Sequence, residues 1–320
     1  MPVVARLLER YRRAGADLPF EDPRRAHGVG MEGYYWRLTD AAAGRVMIVL
    51  CGVCAAPDGH WALVAMAAHP EGLVRHAIVP VASADGRRLG VSAGDVLAAD
   101  EEGLRVDLGP GARLRAGFAD HVPWPRRALG GSGLAQVVPG LGQYWHPHLL
   151  GGTVAGHADL GDDRIDLGGC VPYAEKNWGS RFAGSWWWGQ AHGFGDPGVC
   201  VAFAGGRLRL GPAGVAPTSL VVALGGTVLR LVPPRARMVA AVGAEGWRVR
   251  ARRGSLHVEL LGWGGRGSAA ILPVPLPRER RTEPLSHQRL ASHLQVTVWR
   301  GTRLLFSGES ALAGLERPVA

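Results

Sequence analysis

The sequence predicts an all-β protein of two tandem antiparallel β domains, each a sandwich or a barrel, preceded by a short helix. From residue 24 onward, short apolar segments are separated by Gly, Pro and Asp at intervals of about 8 to 12 residues, as in antiparallel sheets. In the second half, apolar and polar residues alternate, so one face of each strand is predicted to be buried. Strand patterns do not alternate with long helical patterns, which argues against a doubly wound α/β fold.

The first predicted element is a helix over residues 2–13. Val3, Leu7, Leu8 and Tyr11 recur at helical spacing, and arginines occupy the other faces. A helix docked on the protein surface is the favoured interpretation, and a helix lying in a membrane interface is the alternative.

The strands are predicted where apolar residues form short runs or alternate with polar residues. They cover residues 46–50, 62–66, 77–81, 104–108, 113–118, 247–252, 256–260 and 294–298. The proline-rich segment 272–277 predicts an edge strand or a crossover, because proline cannot donate to a β ladder. The polar, glycine-rich segment 161–169 is the predicted boundary, which gives an N-terminal domain over residues 1–165 and a C-terminal domain over 166–320.

The net charge of +9 suggests an anionic partner, but the types of cation argue against that interpretation. Lys176 is the only lysine, the other 35 cations are arginines, and Asn177 is the only asparagine. Adenine-rich codons are therefore rare, and the arginine excess reflects codon bias on solvated faces. The arginine pairs are scattered and accompany no nucleic-acid-binding motif, so nucleic acid is not expected as a partner.

The sequence predicts a cytoplasmic protein. Its longest apolar run, residues 46–56, is much shorter than the ~20 residues that a membrane-spanning helix needs. The N-terminus lacks the pattern of a secretory signal peptide, and the four cysteines do not suggest a disulfide framework. Peripheral contact of the N-terminal helix with the inner face of the membrane remains an alternative, and the oligomeric state is not predicted.

Two short motifs contain residue types that bind metals. Cys51 and Cys54 form a C-x-x-C, but positions three apart on a strand point to opposite faces, so buried apolar cysteines are favoured. His146 and His148 share a strand face, and three interpretations stay open: a metal site, the lining of a polar pocket, and ordinary core or surface histidines. Neither a metal nor a cofactor is predicted.

The segment 173–179 carries the most informative polar residues. On a strand, Tyr173, Glu175 and Asn177 share one face. A carboxyl group in apolar surroundings has a raised pKa and can stay protonated near neutral pH. Lys176 would point the opposite way, so it need not ionise Glu175.

The segment 185–190 contains three consecutive tryptophans. On a strand, Trp186, Trp188 and Gln190 share one face, and His192 continues it. An aromatic core is one interpretation. The other is an aromatic-lined site for a hydrophobic small molecule, in which the ring faces can stabilise a cationic intermediate.

With these residues the sequence resembles the tocopherol cyclase family, which is related to carotenoid 1,2-hydratases and lipocalin-like pericyclases. The specific part of the resemblance is Tyr173-Ala-Glu-Lys-Asn-Trp-Gly179 followed by Trp186-Trp-Trp-Gly-Gln190. Weaker matches are Glu32-Gly-Tyr-Tyr-Trp-Arg37, Trp124-Pro125, Tyr144-Trp-His146 and Gly308-Glu-Ser-Ala-Leu312. The histidine-rich segment 145–157 and the pair Phe182-Ala183, where the family has Phe-Pro, depart from the family pattern.

The resemblance implies two lipocalin-like β domains and cofactor-free ring closure, in which an acid protonates a prenyl double bond and a phenol oxygen captures the cation. Glu175 then takes the role of the acid, with Tyr173 and Asn177 as further catalytic residues. The implied substrate-binding residues are Trp178, Trp186, Trp188, Gln190, Tyr34, Trp36, Tyr144, Trp145 and His146. The alternatives are a hydratase, a pericyclase that needs no acid, and a carrier of an apolar molecule without chemistry.

Overall fold

A computed structural model describes residues 3–125, 128–182, 184–210, 213–244, 246–264 and 269–319. The described chain is nearly all β, which confirms the predicted fold class. It contains helix α1 (Val3–Arg13) and two short 3-10 helices, Gly133–Val137 and Pro277–Glu279. None of the described helices is both long and apolar enough to span a bilayer.

The strands are numbered in chain order. Up to residue 179 they are β1 (Met31–Asp40), β2 (Arg45–Ala56), β3 (Gly59–His69), β4 (Leu73–Val79), β5 (Ala82–Ala84), β6 (Gly90–Ala93), β7 (Leu97–Asp100), β8 (Gly103–Asp107), β9 (Ala112–Ala119), β10 (Gln143–Leu149), β11 (Thr153–Leu160), β12 (Asp163–Asp166) and β13 (Val171–Gly179). Beyond it they are β14 (Trp186–Ala191), β15 (Cys200–Gly206), β16 (Leu208–Leu210), β17 (Ala213–Val215), β18 (Thr218–Leu224), β19 (Thr227–Leu231), β20 (Arg237–Val242), β21 (Gly246–Arg253), β22 (Leu256–Trp263), β23 (Ala270–Leu276), β24 (Arg281–Arg300) and β25 (Arg303–Pro318).

Two antiparallel sheets form the first half of the molecule. One has the strand order β10-β13-β1-β2-β3-β4, and the other has the order β12-β11-β9-β8-β7-β6-β5. Their inner faces enclose a hydrophobic core that includes Trp36 and Met47 from the first sheet and Leu104 and Leu114 from the second. The burial of these apolar faces provides the main stabilising contribution to this half.

A single large sheet forms the second half, with the order β19-β18-β15-β14-β25-β24-β22-β21-β20 and β23 paired to β24. Strand β18 also contacts β20, and β19 contacts β21, so the sheet curls into a nearly closed barrel. Its interior contains Phe203, Trp247 and Val296. The described strands β16 and β17 pair with each other in a separate two-stranded sheet.

Several local predictions can be compared with the fold. Residues 272–276 of the proline-rich segment lie in β23, which pairs with β24 alone among the described strands and therefore forms an edge, as predicted. The glycine-rich segment 161–169 contains β12, which pairs with β11. The division at residues 165 and 166 stays a prediction, and β13, which follows it, pairs with β1 and β10 of the first half.

The predicted helix is present as α1, but its apolar residues are not buried. Val3, Leu7 and Leu8 are exposed, and Val3 retains 74% of its accessible surface. The C-terminal turns of the helix attach it to the protein. There, the Tyr11 hydroxyl donates to the Val137 carbonyl, and the Arg12 guanidinium forms an ion pair with Asp17.

The two halves pack against each other through a third hydrophobic cluster. Tyr35 and Trp145 come from the first half, whereas Trp186 and Trp188 come from the second. The buried Arg37 guanidinium crosses the same boundary, where Nη2 donates to the carbonyls of Leu290 at 2.7 Å and Leu312 at 2.6 Å. The candidate site lies at this junction.

Candidate functional site

Strand β13 lies at the centre of the site because its two faces have different surroundings. It is paired on both sides, with β10 and β1, so its side chains can only point above or below the sheet. Tyr173 and Glu175 point toward the second half. Ala174 and Lys176 point the other way, into the first half. The alternation predicted from the sequence therefore separates Glu175 from the only lysine.

Glu175 is buried and receives three hydrogen bonds on one oxygen. Its Oε2 accepts from Tyr173 Oη at 2.5 Å, from Trp188 Nε1 at 2.7 Å and from Trp145 Nε1 at 2.8 Å. The donors come from β10, β13 and β14, so both halves hold this carboxyl. Because Oε2 is occupied by donors, the acidic proton of the neutral form belongs on Oε1.

The electrostatics keep this carboxyl near the point of half-protonation at neutral pH. Burial raises the pKa of Glu175 to about 7, against the hydrogen bonds from Tyr173, Trp188 and Trp145, which lower it. The charge of Glu316 raises it further. A carboxyl with this pKa is suited to general acid catalysis, because it retains a proton and still transfers it readily.

A cavity of about 380 Å³ adjoins Glu175 and draws its walls from both halves. This volume fits a small organic molecule. Seven of the predicted site residues line the cavity: Tyr34, Tyr144, Trp145, Glu175, Asn177, Trp186 and Trp188. Asn177 carries a buried Oδ1 with no hydrogen-bond partner among the described residues, so it can accept a hydrogen bond from a ligand. Gly33 lies opposite Asn177 in the β1–β13 register, where any β-carbon would collide with that amide.

Tyr173, Trp178 and Trp36 do not line the cavity. Tyr173 contributes through its bond to Glu175. Trp178 lies on the opposite face of β13, where its Nε1 donates to the Gly15 carbonyl at 2.8 Å. Trp36 is packed in the core of the first half.

Lys176 and its partners fasten the N-terminal segment to β13. The Lys176 ammonium is buried 2.7 Å from Glu32 Oε2, and it donates to the Arg25 carbonyl at 2.7 Å. The His27 ring stacks on Trp178 at 4.4 Å. The lysine of the family motif is therefore a structural anchor in this fold.

Gln190 and His146 also lie outside the cavity. Gln190 is buried further along β14, where its Nε2 lies 3.1 Å from His192 Nδ1. His192 Nε2 lies 3.2 Å from the Leu150 carbonyl, so that nitrogen carries the hydrogen and Nδ1 accepts from Gln190. His146 packs edge-on against Trp124 at 5.4 Å, and burial lowers its pKa to about 3.

The metal-binding interpretations find no support among the described residues, which contain no group of three His, Cys, Asp or Glu placed to hold an ion. Cys51 and Cys54 are buried in different hydrophobic clusters, so the two thiols point to opposite faces of β2. Burial raises the pKa of Cys54 to about 12, which keeps its thiol protonated.

Two of the cavity residues that were not predicted from the sequence, Glu316 and Tyr35, make polar or aromatic contacts with the site tryptophans. On β25, Glu316 Oε1 accepts a hydrogen bond from Trp186 Nε1 at 2.8 Å. Tyr35, on β1, contacts Trp188 edge-on at 5.0 Å, and its hydroxyl accepts from Gln288 Nε2 at 2.8 Å. Tyr35 belongs to the weakly matching segment 32–37 and could have been singled out there, whereas no local motif marks Glu316.

The fold and the buried carboxyl together define a lipocalin-like protein with an aromatic-lined cavity at the junction of its two halves. A sequence profile described as "Tocopherol cyclase-like" matches residues 127–317, and the chain belongs to this family. It is 30% identical over 82 residues to the probable chloroplastic tocopherol cyclase of rice, Oryza sativa subsp. japonica. That match covers 25% of this chain and only 17% of the rice protein.

Solved structures share the fold over nearly the whole chain. Kievitone hydratase from Nectria haematococca aligns with a TM-score of 0.52 and 10% identity, over 92% of this chain and 90% of that one. The protein CghA aligns with a TM-score of 0.57 and 12% identity, over 90% and 87% of the two chains. A putative AttH protein from Nitrosomonas europaea aligns with a TM-score of 0.50 and 12% identity, over 95% and 97%. At these identities the likeness extends to the fold alone.

Proposed function

We propose that this protein is a cofactor-free enzyme that cyclises a hydrophobic prenylated or polyene substrate by acid catalysis. The observation that carries the proposal is Glu175, a buried carboxyl with a pKa of about 7 beside a tryptophan-lined cavity. In the proposed reaction, Oε1 of the neutral carboxyl gives its proton to a carbon–carbon double bond of the substrate. The three donors on Oε2 stabilise the carboxylate that remains.

The rest of the cavity suits the cation that this protonation forms. The faces of Trp186, Trp188 and Trp145 offer π-electron density to a tertiary carbocation. Asn177 Oδ1, which lacks a partner among the described residues, accepts a hydrogen bond from a second hydroxyl group of the substrate and so orients the molecule. Attack by a phenol of the same molecule closes a ring, and attack by water gives a hydrated product. The family and the names of the rice and Nectria proteins, a cyclase and a hydratase, support this class of reaction.

The test is the substitution Glu175→Gln, assayed with a geranylated hydroquinone as the probe. Glutamine keeps the size of the side chain and an oxygen for the indole donors, but it has no acidic proton. We expect turnover to fall at least about 100-fold, while quenching of tryptophan fluorescence shows that the probe still binds. Glu102→Gln, the same change at an exposed position, is the matched control.

Two outcomes would contradict the proposal. Full turnover in Glu175→Gln would indicate a pericyclase, in which shape and hydrogen bonds act without an acid. Probe that binds to the wild-type protein and is recovered unchanged, as judged by native mass spectrometry, would indicate a carrier.

A further inference from the structure

A second carboxyl group faces the same cavity from the other half of the molecule. Glu316 lies on β25, directly opposite Trp188 in the β14–β25 register. Its Oε1 accepts from Trp186 Nε1 at 2.8 Å, and the side chain lines the cavity beside Glu175. No described cation forms an ion pair with Glu316.

Two of the three tryptophans of β14 hold one carboxyl each. Trp186 and Trp188 lie on the same face of the strand, about 7 Å apart along it, and their indole N–H groups point to Glu316 and Glu175 respectively. Trp187, between them, donates instead to Thr218 Oγ1 at 3.2 Å. The Trp-x-Trp pattern therefore holds two carboxyls, one from each half, at the same cavity.

The surroundings of the two carboxyls assign them different tasks. Glu175 is held by three donors from both halves, with its second oxygen left for a proton. Glu316 receives one indole bond, on Oε1, and lies beside the Ser286 hydroxyl in the lining of the cavity, where a ligand can contact its carboxyl. A reaction that adds an O–H group across a double bond needs both a proton donor and a proton acceptor.

We propose that Glu316 is the proton acceptor of the reaction, an assignment that rests on the proposed function. The Oε1–H bond of Glu175 breaks as a C–H bond forms on the substrate. The oxygen nucleophile then forms a C–O bond with the cationic carbon, and its O–H bond breaks as the proton passes to the Glu316 carboxylate. Proton exchange with water afterwards returns Glu316 to the carboxylate and Glu175 to the acid, so the protein undergoes no net change.

The experiment compares Glu316→Gln with Glu175→Gln in deuterated water, using the geranylated hydroquinone. In Glu316→Gln, glutamine still accepts the Trp186 bond, so the packing is kept. We expect cyclised product to fall at least about 100-fold, while deuterium still enters the recovered or double-bond-shifted probe because Glu175 still protonates it. In Glu175→Gln both the product and the deuterium are lost. Glu309→Gln, an exposed position on the same strand, is the matched control.

The outcomes separate the two proposals. Wild-type cyclisation in Glu316→Gln, with Glu175→Gln inactive, overturns the role of Glu316 and leaves the proposed function standing. Loss of deuterium incorporation in a folded Glu316→Gln protein also overturns it, because an acceptor is not needed for protonation. If Glu316→Gln does not fold, Glu316→Asp retains a carboxylate on a shorter arm. We then expect deuterium incorporation to persist and cyclisation to fall, and unchanged cyclisation overturns the role.

Discussion

Trp188 Nε1 donates to Glu175 Oε2 at 2.7 Å, and this bond joins β14 of the second half to β13 of the first. The acid therefore acquires its complete set of donors only when the two halves are packed together. Removing the bond changes the electrostatics of Glu175 without moving the carboxyl from its own strand. The bond links the assembly of the fold directly to the pKa of the candidate acid.

Replacing Trp188 with phenylalanine should raise the pKa of Glu175 above its value of about 7. The indole N–H stabilises the carboxylate, and a hydrogen bond to a charged group contributes about 1.5–3 kcal/mol, or about one to two pKa units. In the proposed mechanism turnover requires protonated Glu175, so the loss of activity at high pH should move upward by that amount. A pH–rate profile with the hydroquinone probe measures the shift.

The matched control is Trp187→Phe. The Trp187 indole donates to Thr218 rather than to Glu175, so its removal should leave the descending limb of the profile in place. If the descending limb of the pH–rate profile did not shift in Trp188→Phe, or shifted equally in both variants, the hydrogen bond from Trp188 would not set the pKa that controls activity.

The period-2 alternation of a strand accounts for what could be predicted of the site. It places Tyr173 and Glu175 together and turns Lys176 away, as the structure shows. The alternation does not show which tryptophans line the cavity and which pack in the core. Trp178 and Trp36 resemble Trp188 in type, but they lie on the faces of β13 and β1 that point into the first half.

Two further residues show why the remainder of the site depends on tertiary structure. Gln190 shares the face of Trp186 and Trp188, yet it lies one step further along β14, where His192 and Cys200 close over it. Glu316 reaches the cavity through the pairing of β25 with β14, which joins positions far apart in the chain. Alternation predicts the face of the strand on which a side chain lies. The position of the cavity along that strand depends on strand register and packing.

Acid should destabilise the protein through three buried histidines. Burial lowers the pKa of His146 to about 3 and that of His192 to about 4, and it lowers the pKa of His148 well below its usual value. Each folded pKa lies below the ordinary 6.5, so the unfolded state binds more protons and the free energy of unfolding falls as the pH drops below about 6.5. Glu175 and Glu316, whose pKa values are raised, act in the opposite sense.

The substitution His146→Leu tests how much one of these histidines contributes to the pH dependence of stability. Urea unfolding between pH 7 and pH 5 should show a weaker pH dependence in the variant, by up to about 1.4 kcal/mol per pH unit. His76→Leu, the same change at an exposed histidine of β4, serves as the control for the substitution itself. If the free energy of unfolding had the same slope against pH in His146→Leu and in the wild type, the result would contradict the inference that His146 is neutral in the folded protein.

The substitution Lys176→Met should destabilise the fold by about 3–5 kcal/mol, because it leaves the buried Glu32 carboxylate without its partner. Burial acts to raise the pKa of Glu32, but the charge of Lys176 and the hydrogen bond from His27 lower it to about 2. The double variant Glu32→Gln/Lys176→Met removes both charges and should recover part of the loss in urea unfolding. A double variant no more stable than Lys176→Met would show that the lysine acts through its other contacts.

Filling the cavity should weaken ligand binding without weakening the fold. Ala204 on β15 lines the cavity and lies opposite Trp188 in the β14–β15 register. The substitution Ala204→Phe projects a ring into open space, so the overpacking that destabilises closed cores does not arise. We expect the hydroquinone probe to bind at least about tenfold more weakly, a change of about 1.4 kcal/mol, with Tm near that of the wild type. Ala204→Ser, which adds little volume, should bind as the wild type does, and undiminished binding in Ala204→Phe would place the ligand elsewhere.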